Sequence, residues 1–186
     1  MLHTSQYSAV LSNTTFSAVA RVRDAVTYAL LTHAPLCVLS LDFIAAFDGI
    51  SHIYLFLVLK IYGYCLKLLT LQQAPYDKTF SSVQINGYVA GHFPIRCYIS
   101  QGCPISVLQF ALVLNPLVCL FERHLTGIRI VQRVTKPAFV AHAEDVTIFE
   151  TASADIQLIG DLLLTYERAK GVRLNIRKSK AMAASS

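Results

Sequence analysis

The feature that most constrains the fold of this chain is an uncharged stretch from Cys97 to Phe121. It is long enough to cross a bilayer, so it is either a membrane span or a segment buried in a protein core. Polar residues and prolines are disfavoured in a membrane-spanning helix, and this stretch contains many of them. They are Ser100, Gln101, Gly102, Pro104, Ser106, Gln109, Asn115 and Pro116. We therefore expect a core segment and no membrane association.

Composition agrees with a large buried core. The 186 residues suit one domain, and 54% are hydrophobic while only 15% are charged. This balance is skewed toward burial for a free-standing domain, and it is typical of a core whose neighbouring domains are missing. The N-terminus lacks the basic and apolar regions of a signal peptide. The five scattered cysteines predict reduced thiols in an intracellular compartment.

The net charge of +5 is unevenly distributed. Most lysines and arginines follow residue 120, from Arg123 to Lys180. A basic C-terminal third predicts either a contact with a polyanion or a solvated surface, and charge alone does not choose between them.

The first half of the chain predicts two helices and a buried strand. A helix is expected over Phe16–Leu31, with Pro35 ending it and a buried stripe that we assign to Val19, Val22, Val26 and Ala29/Leu30. The apolar run Leu36–Leu41 predicts a central strand. Asp48 is a candidate N-cap for the next helix, Gly63 closes it, and its buried positions are Leu55, Val58, Leu59 and Tyr62.

The second half predicts strands around two further helices. Strands are expected within Val83–Ile99, with a turn at Asn86-Gly87, and a helix over residues 104–121, interrupted at Asn115-Pro116. Phe139–Glu150 predicts a hairpin. A helix over residues 153–170 would bury Ile159, Leu162, Leu163 and Tyr166, stop at Lys170-Gly171, and precede a strand holding Val172, Leu174 and Ile176. An antiparallel hairpin at the centre favours the α+β class.

Two acidic groups stand at strand ends in this acid-poor chain. Asp42 follows the first strand, and Glu144-Asp145 occupies the hairpin turn. Three carboxylates at one point repel each other unless a cation lies between them, and hard oxygen ligands select Mg²⁺ or Mn²⁺. Two such ions catalyse phosphoryl transfer in polymerases. The alternative is that Asp42 caps a helix and Glu144-Asp145 fills a turn.

Four segments resemble, in order, the motifs of LINE-type, non-LTR retrotransposon reverse transcriptases. LDFIAAFDGISHIYL resembles the pattern LD-x-x-x-AFD-x-x-x-H-x-x-L, SQGCPIS resembles RQGCPLS, AHAEDVTIF resembles AYADDVTLF, and LNIRKSK resembles LN-x-x-KS. Upstream, HTSQYSAVLSNTTFSAVARVRDAV resembles a further segment of that family. The resemblance runs from about His3 to Lys180 and implies a polymerase palm: an antiparallel sheet with helices packed on one face.

The resemblance implies a role for individual residues. Asp42, Glu144 and Asp145 would be catalytic and would bind Mg²⁺, with Mn²⁺ as a substitute. Phe47 would lie under the incoming sugar and exclude a 2′-OH, although it also suits an ordinary core position. Nucleotide contacts would come from Gln101, Gly102 and Lys178, the last being equally typical of a solvated lysine. Asp48 would be structural.

The chain departs from the family pattern at several of these positions. Glu144 replaces an aspartate, which adds a methylene, and Mg²⁺ tolerates little departure from octahedral geometry. We therefore expect much-reduced activity, with Mn²⁺ restoring part of it. His142 replaces a tyrosine, Ser100 an arginine, and Ser12-Asn13 a Gly-Arg pair.

The hypothesis is a single truncated reverse transcriptase domain over residues 1–186, with partial fingers over about 1–35 and palm over about 36–180. It would lack the thumb, the primer grip and any endonuclease. Its partners would be an RNA template, a DNA primer, a dNTP and the missing segments of a longer parent protein. One alternative is a non-catalytic remnant that binds nucleic acid or a protein. Another is a relic that does not fold alone.

Overall fold

The computed structural model describes residues 2–8, 13–103, 105–127, 138–150, 154–170 and 172–184. Within these ranges there are five α-helices: α1 (Thr15–Thr32), α2 (His52–Ile61), α3 (Leu66–Gln73), α4 (Ser106–His124) and α5 (Ala154–Lys170). The strands are β1 (Leu36–Leu41), β2 (Phe43–Ile44), β3 (Phe80–Ser81), β4 (Gln84–Ile85), β5 (Tyr88–Val89), β6 (Phe93–Pro94), β7 (Phe139–His142), β8 (Asp145–Glu150), β9 (Arg173–Leu174) and β10 (Lys180–Ala184).

A four-stranded antiparallel sheet in the order β10-β1-β8-β7 forms the centre of the fold. The predicted central strand is confirmed, since β1 lies between β8 and β10. β10 was not expected from the sequence. It pairs with β1 from Leu36↔Ala184 to Ser40↔Lys180, so the sheet extends to Ala184, past the expected palm boundary at residue 180.

The two faces of this sheet belong to two separate apolar clusters, because strand side chains alternate. Leu41, Phe139 and Ile148 share the larger cluster with buried residues of α2, α4 and α5. Val38 and Phe149 share the smaller one with residues of α1. The expected α+β class is confirmed, but the helices are not confined to one face: α1 covers the face opposite α4.

Helix α1 forms where it was predicted, and its predicted stripe is partly correct. Ala29 is buried as expected, and Val22 and Val26 pack against the smaller cluster. Val19 and Leu30 are exposed instead, and the other buried residues of the helix are Ala18 and Ala25. Small alanines let the helix lie close to the sheet, so the buried face is rotated slightly from the predicted one.

Helix α2 begins three residues later than the expected cap. Ser51, not Asp48, is the N-cap, and its hydroxyl accepts a hydrogen bond from the Tyr54 amide at 3.4 Å. The physical reason is that Ile50 is fully buried and Ser51 forms a bridge with Cys97, so the chain turns helical only afterwards. The buried positions Leu55, Val58 and Leu59 are as predicted, and Gly63 (φ 83°) follows the helix end.

Helix α4 is the core helix that the uncharged stretch predicted. It runs through Pro116 without ending, so the expected interruption at Asn115-Pro116 is wrong. Among the described residues it is the one helix long and apolar enough to span a membrane, and 61% of it is buried within the protein. Burial against the sheet and α2 accounts for its apolar composition.

The β4–β5 turn and α5 agree with the prediction, whereas the strand after α5 does not. Asn86 and Gly87, both with positive φ, form the expected hairpin turn between β4 and β5. α5 buries Ile159, Leu163 and Tyr166 as expected, while its predicted stop at Gly171 lies outside the described residues. The final strand is shorter than predicted, because β9 ends at Leu174 and Ile176 is exposed. The cysteines Cys37, Cys65, Cys97, Cys103 and Cys119 are free thiols.

Candidate active site

Asp42 is held by its backbone against the turn that connects β9 to β10. It is half-buried and lies between β1 and β2. Its amide donates to the Ser179 hydroxyl at 3.1 Å, and its carbonyl accepts from the Asn175 amide at 2.7 Å. The Ser179 hydroxyl in turn donates to the Asn175 carbonyl at 2.9 Å. One short segment therefore anchors both the backbone amide and the backbone carbonyl of Asp42.

The acidic pair lies on the predicted hairpin. His142 and Asp145 pair across β7 and β8, and Ala143 and Glu144 form the two-residue turn between them. Ala143 has φ 51°, which a tight hairpin turn requires, and its amide donates to the Ser8 hydroxyl at 2.9 Å. The N-terminal segment thus fixes the turn that carries Glu144.

The sheet register brings two of the three predicted carboxylates to the same edge. The last pair between β1 and β8 is Leu41↔Val146. Continuing that register by one residue places Asp42 opposite Asp145. Because side chains alternate along strands, both residues follow the face that carries Val38 and Phe149. Asp42 and Asp145 are therefore cross-strand neighbours in sequence register.

The side chains themselves do not surround a common point. In the ranges that the structure describes, no group of three or more His, Cys, Asp or Glu side chains lies close enough to hold a metal ion. Glu144 and Asp145 are exposed at the hairpin, and Asp42 is half-buried. The donor set fits a hard divalent cation, since all three residues offer carboxylate oxygens. Closing on an ion would require the three side chains to draw together.

Phe47 follows Asp42 along the chain and packs face to face on the core helix. Its ring lies 4.4 Å from that of Phe110 in α4, at an interplanar angle of 24°. The ring is half-buried, and the Phe47 carbonyl accepts from the Ile99 amide at 2.8 Å. It is thus a core aromatic with one part of its ring accessible. Asp48, beside it, is exposed in the turn.

The other predicted nucleotide contacts occupy two exposed turns. Gln101 and Gly102 lie just before α4, and Gly102 has φ 87°. The Ser106 hydroxyl donates to the Ser100 carbonyl, which ties this turn to the start of the helix. Lys178 belongs to the 175–179 turn, so the hydrogen bonds to Asp42 bring its backbone beside that residue.

The residues that depart from the family pattern make structural contacts. His142 Nε2 lies 3.0 Å from the Thr15 hydroxyl, joining the hairpin to α1. Asn13 donates to the carbonyls of Thr4 and Gln6, at 3.0 and 2.7 Å. Ser12 lies outside the described residues. His142 and Asn13 therefore make polar contacts that hold the hairpin and the N-terminal segment.

A buried lysine beneath this region was not anticipated from the sequence. Lys170 is 1% exposed, and its ammonium nitrogen lies over three rings, at 3.9 Å from Tyr166, 5.0 Å from Phe43 and 5.8 Å from Phe110. Among the described residues this nitrogen has no hydrogen-bond partner. Burial lowers its pKa well below the usual value. These three rings form an aromatic cage around the ammonium group. The cage adjoins the candidate site, because Phe43 follows Asp42 in the chain and Phe110 stacks on Phe47.

The phenols around Lys170 do not compensate its charge. Burial, followed by repulsion from the Tyr54 phenol, raises the pKa of Tyr166. Burial, and to a lesser extent repulsion from the Tyr62 phenol, raises the pKa of Tyr54 to about 12. Both phenols are therefore neutral at physiological pH, and Tyr166 donates instead to the Val113 carbonyl at 2.8 Å.

Sequence reasoning also missed the residues that position the site. Ser8, Asn175 and Ser179 all bind backbone at Asp42 or at the hairpin turn. For two of them a signal was present, because Asn175 and Ser179 lie in the LNIRKSK segment at the spacing of a turn. Lys170 gave only the signal of a helix C-terminus.

Comparison with known proteins identifies the family. The sequence profile of the reverse transcriptase (RNA-dependent DNA polymerase) family matches residues 3–186. The chain is 28% identical, over 98% of its length, to the uncharacterized 149 kDa protein of transposon TX1 from Xenopus laevis. It is 27% identical, over 75% of its length, to the Pol polyprotein of retrotransposable element R2DM from Drosophila melanogaster. It spans 14% and 13% of those proteins.

Solved structures agree at the level of the fold. Telomerase from Candida tropicalis, in complex with a fragment of telomeric RNA, aligns over 99% of this chain and 31% of its own, with a TM-score of 0.69 and 12% identity. Telomerase from Candida albicans aligns over 91% of this chain and 30% of its own, with a TM-score of 0.65 and 13% identity. The chain therefore belongs to the reverse transcriptase family, as a domain of the LINE type that its motifs resemble.

Proposed function

We propose that this chain forms the nucleotidyl-transfer centre of an RNA-directed DNA polymerase, with Asp42, Glu144 and Asp145 as its metal-binding carboxylates. The observation that carries the proposal is the register Leu41↔Val146, which makes Asp42 and Asp145 neighbours at one sheet edge. Further support comes from the hydrogen bonds that anchor Asp42 to the 175–179 turn. An RNA template, a DNA primer and a dNTP are the proposed partners.

In this reaction the primer 3′-OH attacks the α-phosphorus of the dNTP, and pyrophosphate leaves. Two Mg²⁺ ions, or Mn²⁺ in their place, would polarise the 3′-OH and stabilise charge on the phosphoryl oxygens. Phe47 would support the sugar, because its ring is braced by Phe110. Gln101 and Gly102 would contact the nucleotide from the turn before α4. Lys178 would neutralise phosphate charge beside Asp42.

The substitution at Glu144 limits this activity. Its side chain is one methylene longer than that of aspartate and stands exposed on a two-residue turn. A misplacement of about 1 Å in a reacting group can lower the rate roughly a hundredfold. We infer that activity with Mg²⁺ is weak and that Mn²⁺ raises it.

Primer extension on an RNA template tests the proposal. We expect slow synthesis with Mg²⁺ and faster synthesis with Mn²⁺. Glu144→Asp should increase the Mg²⁺ rate, on the order of tenfold to a hundredfold, and Asp42→Ala should abolish synthesis in both backgrounds. Asp77→Ala, at an exposed acidic residue of the 74–78 turn, is the matched control. Synthesis that persists in Asp42→Ala would contradict the assignment.

The division of the chain is part of the same proposal. We assign residues of about 1–35 to the fingers and the sheet-forming remainder from about residue 36 to the palm. Fingers and thumb segments of a longer parent protein would hold the primer and template.

A second candidate function is a non-catalytic palm that binds nucleic acid or a protein. It is favoured by the separation of the three carboxylates in the described part of the chain. This candidate predicts salt-sensitive oligonucleotide binding without extension, even after Glu144→Asp.

A further inference from the structure

A two-stranded ribbon connects to the candidate site, and the described residues leave most of its side chains uncovered. It runs from Thr79 to Ile95, closes at the Asn86-Gly87 turn, and is paired by Phe80↔Pro94, Ser81↔Phe93, Gln84↔Val89 and Ile85↔Tyr88. Nearly all of its strand residues are exposed. An isolated two-stranded ribbon is marginally stable in water. It therefore gains most from a partner that covers its side chains.

The exposed residues include three aromatic rings. Phe80 is 57% exposed, Tyr88 84% and Phe93 46%. Elsewhere among the described residues the most exposed apolar side chains are mainly aliphatic, such as Ile53 and Leu71, with Phe16 of α1 as an isolated exposed ring at 80%. Flat aromatic faces are the groups on which nucleic-acid bases stack, whatever their sequence.

The charge of the ribbon favours a polyanion. Lys78 and Arg96 are both exposed and lie together at the base of the ribbon, where the Ile95 amide donates to the Thr79 carbonyl, and Asp77 precedes Lys78. No acidic residue occurs in the sequence between Asp77 and Glu122, so nothing in the ribbon repels phosphate. Aromatic rings combined with cations along one groove or ribbon are the usual arrangement for binding single strands.

The base of the ribbon is continuous with the candidate site. The Tyr98 amide donates to the Ile50 carbonyl at 3.0 Å, and the Ile99 amide donates to the Phe47 carbonyl at 2.8 Å. The strand that leaves the ribbon therefore lies against the segment that follows Asp42. From Thr79 to Asn86 the ribbon reaches about 25 Å, enough to accompany several nucleotides of a strand.

We propose that this ribbon is a stacking platform for single-stranded nucleic acid, with Tyr88 and Phe93 receiving bases and Lys78 and Arg96 receiving phosphates. Phe80 is not assigned to the platform, because its pairing with Pro94 puts it on the opposite face of the ribbon from Phe93. The proposal rests on the proposed function, because it extends the same site to the unpaired part of a template. It assigns that strand to residues that none of the four motifs contains.

The test uses the absence of tryptophan from this chain. Tyr88→Trp introduces one fluorophore at the tip of the ribbon. Ile53→Trp, at an equally exposed position on α2, is the matched control. Single-stranded RNA 20-mers are titrated into both variants of the full chain, while binding is followed separately with a fluorescein-labelled strand. We expect quenching for Tyr88→Trp only.

Affinity measurements complete the experiment. Tyr88→Ala should weaken binding of the labelled strand about fivefold or more, and Ile53→Ala should leave it unchanged. Arg96→Gln should lower the slope of log K against log salt by about 0.7. Tyr88→Phe keeps the ring and should retain wild-type affinity.

Three results would overturn the proposal. RNA that binds without quenching Tyr88→Trp, and with equal affinity for Tyr88→Ala, would leave the proposed function standing and exclude the ribbon. Emission from Tyr88→Trp that changes with protein concentration but not with RNA would assign the ribbon to a protein contact. If the chain bound no oligonucleotide, the ribbon would be excluded as a stacking platform. The catalytic assignment would still be tested separately by primer extension.

Discussion

The main-chain amide of Asp42 donates a hydrogen bond to the Ser179 hydroxyl, across 137 positions of sequence. Together with the bond from the Asn175 amide to the Asp42 carbonyl, it fixes the backbone from which the first predicted carboxylate projects. A side chain far along the sequence therefore positions a residue that would contact the metal, without contacting the metal itself.

Removing that hydroxyl should affect the metal more than the fold. Ser179→Ala leaves the Asp42 amide half-buried and without its acceptor, at a cost of about 1 kcal/mol in unfolding free energy. Groups that orient metal ligands typically contribute 10- to 100-fold to metal affinity. We expect a loss of about that size in Mn²⁺ affinity, measured by electron paramagnetic resonance. Ser82→Ala, at an exposed ribbon serine, is the control; equal Mn²⁺ affinity in both variants would refute the positioning role.

Lys170 should make stability depend on pH. Its pKa is lowered in the folded protein, so the unfolded chain binds more protons between the folded-state pKa and the usual value of 10.5. The unfolding free energy should therefore rise with pH through that window until the tyrosines of the unfolded chain begin to ionise, near their ordinary pKa of 10.0. Above that pH it should fall, because the raised pKa values of Tyr166 and Tyr54 keep these phenols protonated in the folded protein only. Urea unfolding at several pH values measures this.

Lys170→Met provides the complementary test. Methionine fills a similar volume without a charge, so the variant should be more stable at pH 7 by on the order of 1–3 kcal/mol, and its stability should not rise with pH in that window. Leu164→Met, at an exposed position of the same helix, serves as control. A variant that is less stable than the wild-type chain at every pH would show that the cage holds a stabilising cation.

Asn115 should tie the N-terminal segment to the core. Its side-chain oxygen accepts from the His3 amide at 2.9 Å and from Gln6 Nε2 at 3.0 Å, and its amide group donates to the Tyr62 hydroxyl. Asn115→Leu leaves several buried polar groups without partners, which should lower the unfolding free energy by roughly 2 kcal/mol or more. Limited proteolysis should then cleave before Asn13.

The control for that variant is Gln73→Leu, at an exposed position on α3. It should change neither the unfolding midpoint nor the cleavage pattern. If Asn115→Leu also changed neither of them, the contacts between segment 2–8 and α4 would not contribute to the unfolding free energy.

The sequence predicted those elements whose cause is local. The hairpin turn at Asn86-Gly87 needs positive φ, which these residues supply. α5 has an unambiguous stripe ending in Tyr166. β10 escaped notice because KAMAA has neither alternation nor β-branched residues, and it is a strand only because β1 offers an edge. The stripe of α1 was correct at Val22, Val26 and Ala29. It was wrong at Val19, because valine outweighs alanine in a hydrophobic pattern, whereas close packing on a sheet prefers alanine.

The candidate site divides in the same way. The motifs indicated Asp42, Glu144 and Asp145 by residue type and order, and the register supports a shared edge for Asp42 and Asp145. The Asp48 cap was wrong because the bridge between Ser51 and Cys97 delays the helix. Burial of Lys170 depends on rings from three separate elements, Phe43, Phe110 and Tyr166, and no local pattern contains that information.

The most direct test of the central claim is the anomalous scattering of Mn²⁺ in crystals of the chain. We expect an ion coordinated by carboxylate oxygens of both Asp42 and Asp145, with Glu144 drawn in from the turn. An ion bound elsewhere, or the carboxyls of residues 42 and 145 on opposite faces of the sheet, would contradict it.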